Sequence, residues 1–243
     1  MSELEFRLLT AEEIDCRIST CNEYGVGLLL YKDARCDQNI LDETVGAMNW
    51  QRHHTRDNAN CIVSIWDKEK GQWIQKEDTG KESNTEAEKG LASDSFKRAC
   101  FNWGIGRELY TAPDMFVYKK DLKKHVETGE WKGKKTFTCK DTFRVTELQY
   151  IGKKIAYVRV LNEKTGKELE FGTPAKELQT LEKIENSVID AAKKTVLLNE
   201  AKKKGVEIAQ VLNRYGLERL DDMTVGQWMR AMNGLKKTQE SNG

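Results

Sequence analysis

Groups able to make or break bonds are few in this chain of 243 residues, and their spacing is poor. The histidines are His53, His54 and His125, with no HExxH pattern and no facial-triad spacing, so the sequence does not point to a catalytic metal. If His53 and His54 lie on a strand, they face opposite sides of it. Gly129, Gly133, Lys134, Lys135 and Thr136 approach a phosphate loop. The run is one residue short between the glycines, carries an extra lysine and precedes a strand, which argues against a nucleotide site. Gly104 and Gly106 close a helix instead of opening one, which removes a dinucleotide reading. There is no GxSxG nucleophile signature. Asp42 and Glu43 are the kind of acidic pair that holds Mg²⁺ in a nuclease, although ordinary surface helices carry the same pair. Cys16, Cys21, Cys36, Cys61, Cys100 and Cys139 form no CxxC and read as free, mostly buried thiols. No cofactor is expected.

What remains is charge. Net charge is +1, so nothing follows from the total, but residues 119–176 carry fifteen Lys and Arg against eight Asp and Glu. Such a stretch tracks phosphates or forms a solvated sheet face, and the second is the commoner case. Charged residues are 33% of the chain and the mean hydropathy is −0.69. The opening MSELEFRLLTAEEID lacks a basic segment followed by an apolar one, and no apolar run approaches the roughly 20 residues of a spanning helix. A cytosolic protein with no membrane association is expected.

The elements that would position these charges follow an α+β order. Before Pro113 the pattern reads helix, strand, helix, hairpin and one long helix. GLLLYKD alternates, with Leu28, Leu30 and Lys32 on one face and Leu29 and Tyr31 on the other. NILDETVG is a short helix ending at Gly46, and CIVSIW and QWIQKED form an antiparallel hairpin. Thr85 and Glu88 form a capping box that opens a helix running to Gly104. On it Ala92, Phe96, Ala99, Cys100 and Trp103 share a face, Lys97 sits at the rim, and Arg98 lies nearly opposite, within reach of Asp94. Beyond Pro113, TFRVTEL, KIAYVRVL and KELEF form a meander. Residues 175–186 read as a linker, and 187–243 as a small unit of three helices broken at Gly205 and Gly216, with Thr224 as a late cap.

From LLLYKDARCDQNILDETVGAMNWQ through CIVSIWD to WIQKEDTGKESNTEAEKGLASDSFKRACFNWGIGRELYTAP, residues 28–113 resemble the Rad-fifty-two family of single-strand annealing proteins, particularly its phage and prophage members. The hairpin, the EDTG turn and the helix ending SDSFKRACFNWGIG are the most specific parts. The resemblance implies a hairpin sheet packed on a long helix in residues 1–174. It also implies side-by-side assembly into rings or filaments with a basic groove for single-stranded DNA. It places Lys97 and Arg98 on the phosphate backbone and makes Arg17 an upstream groove arginine. Lys32, Arg35, Arg52, Lys76 and Arg107 are further candidates by local position.

Annealing needs no catalytic residue. Lys and Arg that neutralise one backbone while leaving its bases outward lower the barrier to pairing. By analogy with other phage annealing proteins, residues 187–243 dock a host single-strand binding protein or an exonuclease, with Lys202, Lys203 and Lys204 facing an acidic peptide. Two other readings remain open: a ring protein that protects DNA ends without pairing strands, and a metal-dependent nuclease.

Overall fold

The computed structural model describes residues 4–81 and 87–238, and the chain divides into two units, Met1–Pro174 and Ala175–Gly243. It is α+β, built from helices and antiparallel sheets. The first unit runs β1 (Asp15–Asn22), β2 (Gly25–Tyr31), α1 (Ala34–Val45), β3 (Trp50–Thr55), β4 (Asn60–Asp67), β5 (Gln72–Thr79) and α2 (Ala87–Trp103). It continues with β6 (Phe116–Tyr118), β7 (His125–Trp131), β8 (Lys134–Cys139), β9 (Phe143–Ile151), β10 (Lys154–Asn162) and β11 (Lys167–Gly172).

Before Pro113, two strands are absent from the sequence-based order. Where it has an opening helix there is a short 3-10 turn, Ala11–Glu13, followed by β1 paired with β2. The expected hairpin is a three-stranded sheet, β3-β4-β5, because WQRHHT joins as an edge strand. Its alternation is hard to read because the helix-facing positions include Arg52 and His54 instead of aliphatic residues. The later meander forms as β9-β10-β11, and it extends the first sheet because β9 pairs with β1. That pairing closes a six-stranded sheet in the order β11-β10-β9-β1-β2-β6, while β7 and β8 form a separate hairpin. One core joins the sheets and helices: Val26, Leu28 and Leu30 from β2, Ile40 and Leu41 from α1, Val63 from β4, and Phe96, Ala99 and Cys100 from α2. Burying each larger side chain contributes about 2 kcal/mol.

Helix α2 packs on β4 and β5 along the face its periodicity gives. The EDTG glycine has a steric reason, since a Cβ on Gly80 would stand 2.5 Å from the Ser95 backbone nitrogen. The capping box read at Thr85 and Glu88 falls outside the residues and side chains described.

The second unit contains α3 (Ala175–Asn186), α4 (Ala191–Lys203), α5 (Ile208–Arg214) and α6 (Val225–Lys237). Residues 175–186 are therefore not a linker: they form α3, which packs on α6. Thr224 caps α6 in a capping box with Gln227, and Trp228 Nε1 donates to the Lys193 carbonyl at 2.9 Å, tying α6 to α4. The core of this unit includes Leu197, Ala201, Val211 and Met223, whereas Leu198 and Met229 are exposed. Among the described residues, no helix is long and apolar enough to cross a membrane.

Candidate nucleic-acid interface

Six of the eight candidate cations gather around α2, and the fold itself engages most of them. Lys76 Nζ donates to the Asn102 carbonyl at 2.8 Å and lies 4.4 Å from the Trp103 ring centre. Arg107 donates from Nε and Nη2 to the Phe101 carbonyl at 3.0 and 2.6 Å. Both cations thus satisfy carbonyls in the last turn of α2, where positive charge also suits the helix dipole.

Arg98 does not pair with Asp94, which accepts from the Lys81 backbone N–H at 2.8 Å. Its Nε donates to the Thr79 carbonyl at 2.8 Å, with the Asp78 carboxylate 3.9 Å away. Arg98 is therefore turned toward the end of β5 instead of standing opposite the buried face, and its two terminal nitrogens form no hydrogen bond among the described residues. Lys97 is half-buried and makes no direct hydrogen bond or ion pair among the described residues, and its charge reaches Asp37 at longer range. Arg52 is exposed on edge strand β3, 5.0 Å from the Phe96 ring centre. In register, Arg52, Val63 and Lys76 form one cross-strand row, so Arg52 and Lys76 flank α2 from opposite edges of the small sheet.

Lys32 must be withdrawn as a DNA contact. It is 1% exposed, its amine pairs with the equally buried Asp37, and it sits 4.7 Å from the Phe101 ring centre. The helix-end GxG serves this packing: Gly106 has φ 71°, and a Cβ there would stand 2.1 Å from Lys32 Cε. The alternation that placed Lys32 with Leu28 and Leu30 was the signal of burial. Burial pushes the Asp37 carboxyl up to about 6, while Lys32, Lys97 and the Cys100 thiol pull it down.

Arg17 and Arg35 stand apart from this group. Arg17 is exposed on β1, 5.8 Å from the Tyr31 ring centre. Arg35 opens α1 and pairs with Asp33 at 3.0 Å.

The remaining chemistry-bearing groups have structural partners. Asp42 accepts from Trp50 Nε1 at 2.6 Å and Glu43 pairs with Arg7 at 2.7 Å. His54 lies 3.4 Å from the Ser95 hydroxyl while His53 faces the other side. Lys132 and Gly133 are the left-handed turn of the β7-β8 hairpin, not a phosphate loop. Cys36, Cys61 and Cys100 are buried free thiols, and burial raises the pKa of each above the ordinary thiol value. No group of three or more His, Cys, Asp or Glu is placed to hold a metal among the described residues.

In the basic stretch, several charges are paired: Arg159 with Glu147 at 2.6 Å and Glu170 at 3.2 Å, Arg144 with Glu163 at 3.6 Å, and Lys167 with Asp121. On the small sheet Trp66 and Trp73 meet edge to face at 5.5 Å, and Trp73 is exposed.

Compared with models of protein families, with curated proteins and with solved structures, the chain finds no match in any of the three.

Proposed function

We propose that the chain binds single-stranded DNA through its first unit and anneals complementary strands as a homo-oligomer, a ring or a filament, without nucleotide hydrolysis or a metal. One observation carries the reading: Lys97 and Arg98 on α2, and Arg52 beside it, keep donors left over after the fold's own hydrogen bonds are made. Cations arranged along one helix neutralise a phosphate backbone while leaving base edges free to pair. The resemblance of residues 28–113 to single-strand annealing proteins points the same way.

The test mixes the full chain with two complementary strands, one carrying a fluorophore and the other a quencher, in buffer free of ATP and divalent metal. Pairing faster than in protein-free buffer is the expected result. A rate equal to the spontaneous one, with strand binding intact by anisotropy, would overturn annealing in favour of passive end protection. Loss of intact strand on adding Mg²⁺ would favour a nuclease.

The second unit serves as a docking module for a host single-strand binding protein or an exonuclease. Supporting this is a cleft of about 190 Å³ lined by Val206, Val211, Tyr215, Leu235 and Arg214, whose Val206 follows the lysine run 202–204 closely in sequence. Titration with an acidic peptide from the binding protein should shift amide signals of these residues, and no shift at near-millimolar peptide would remove that partner.

A further inference from the structure

We infer a second, base-engaging site for single-stranded nucleic acid on the outer face of the six-stranded sheet, where exposed tyrosines stand beside a run of unpartnered lysines. Along β2 the alternation sends Val26, Leu28 and Leu30 into the core and leaves Leu29 and Tyr31 outside. Next to it, β6 presents Phe116 opposite Gly27 and Tyr118 opposite Gly25. Because both partners on β2 are glycines, no β2 side chain covers these rings from across the pair. Phe116 and Tyr118 meet edge to face at 5.2 Å, and Tyr118 is 59% exposed. Tyr24, in the β1-β2 turn, is 62% exposed. The Lys119 backbone N–H donates to the Tyr24 carbonyl at 2.8 Å, which fixes the two tyrosine-bearing segments together. Tyr24, Tyr118, Lys119 and Lys120 line a cleft of about 320 Å³.

The lysines come from the segment KKDLKK, residues 119–124. Leu122 is buried and anchors it, while the Asp121 carboxylate is drawn away by Lys167. Lys119, Lys120, Lys123 and Lys124 are exposed, and their amines make no hydrogen bond or ion pair among the described residues. Glu23, whose carboxylate raises the pKa of the Tyr24 hydroxyl, is a nearby countercharge.

Flat rings open to solvent beside exposed cations suit a single strand, whose bases stack on the rings while its phosphates meet the lysines. A second copy of the chain suits this face less well, since a two-fold contact would bring like-charged lysine runs together. Whereas the cations at α2 would hold only the backbone, this site would take bases. It lies on the face of the sheet turned away from the core that α2 shares. The inference rests on the single-strand reading for its class of ligand, not on annealing.

Anisotropy of the full chain with a labelled thymidine strand, and with an abasic strand of equal length, tests it. The wild type should prefer the thymidine strand. Tyr24→Ala with Tyr118→Ala should lose that preference, at about tenfold in affinity per ring, whereas Lys97→Ala should weaken both ligands alike. Equal binding of both strands by the wild type, or an unchanged preference in the tyrosine variant, would overturn the site. So would a drop in assembly mass of that variant by light scattering, which would make the face a contact between copies. A wild type that binds neither strand would sink the single-strand reading and this site with it. Crosslinking a strand carrying 5-iodouracil to the wild type avoids substitution altogether: adducts at Tyr24 or Tyr118 support the site, and adducts confined to α2 and its flanking strands overturn it.

Discussion

Two cationic regions of the first unit look alike in composition and differ in what their charges do. Around α2, Lys32 is locked to Asp37, and Lys76, Arg107 and Arg98 bond backbone carbonyls at the ends of α2 and β5. In residues 119–124 the lysines have no such work, because the one acid among them pairs elsewhere. A cation's availability to a phosphate is therefore not set by its neighbours in sequence. It depends on whether a carbonyl or carboxylate from another element lies within reach, since a buried or half-buried acceptor left unpaired costs about 1–3 kcal/mol.

The largest expected effect tests the engaged side of this contrast. Lys32→Met should cost about 3–5 kcal/mol, because it strands a buried carboxylate, and Lys32→Met with Asp37→Leu should recover much of that loss. Urea unfolding measures both. A single variant as stable as the wild type would mean that the pair does not hold α1 and the helix-end loop in place.

The same pair carries a pH dependence. Asp37 has its folded pKa raised from 3.8 to about 6, so its contribution is present below about pH 4 and is lost as pH rises through about 6. By this group alone stability should fall across that window, and the double variant should lack the decline. Glu13 works in the opposite sense. Hydrogen bonding to Arg7 lowers its pKa to about 2, so its contribution is present above the ordinary carboxylate value and is lost as acid approaches pH 2. Unfolding curves from pH 2 to pH 8 separate the two, and identical profiles for wild type and double variant would contradict the Asp37 assignment.

Smaller effects separate cations that bind from cations that build. Lys97→Ala should leave stability unchanged and lower the logarithmic salt slope of strand binding by roughly 0.7. Arg98→Ala should change that slope and also cost about 1 kcal/mol through the lost Thr79 bond. Lys76→Ala or Arg107→Ala should cost about 0.5–1 kcal/mol with the slope retained. Slopes that fall equally in all four variants would erase the distinction between the engaged and the available cations of α2. Least of all should change on truncation after Pro174: the number of subunits per assembly by light scattering and annealing of naked strands should both persist, and a monomer would show that α3 to α6 take part in assembly.

Much of the fold was legible where one face of an element is apolar and the other wet. Phe96, Ala99 and Cys100 declared the buried side of α2, and the Thr224 cap and the Gly205 and Gly216 breaks marked the helices of the second unit. Elements with polar inner faces were not legible. WQRHHT gave no sign of a strand because its inward Arg52 and His54 find a ring and a hydroxyl from α2, more than forty residues away. Residues 175–186 read as a linker because α3 buries little of its length: Leu181 and Ile184 stay exposed.

By itself, the sequence determined the α+β class and the face α2 turns to its sheet, whereas it offered Lys32 as a DNA contact despite its alternation with the buried Leu28 and Leu30. Tertiary structure alone decided which cations stay available, that β9 joins β1 in one sheet, and that Tyr24 and Tyr118 stand beside the lysines of residues 119–124. Periodicity is local and readable in a few residues. A cation's partner, and the ring it stands beside, come from segments that only folding brings together.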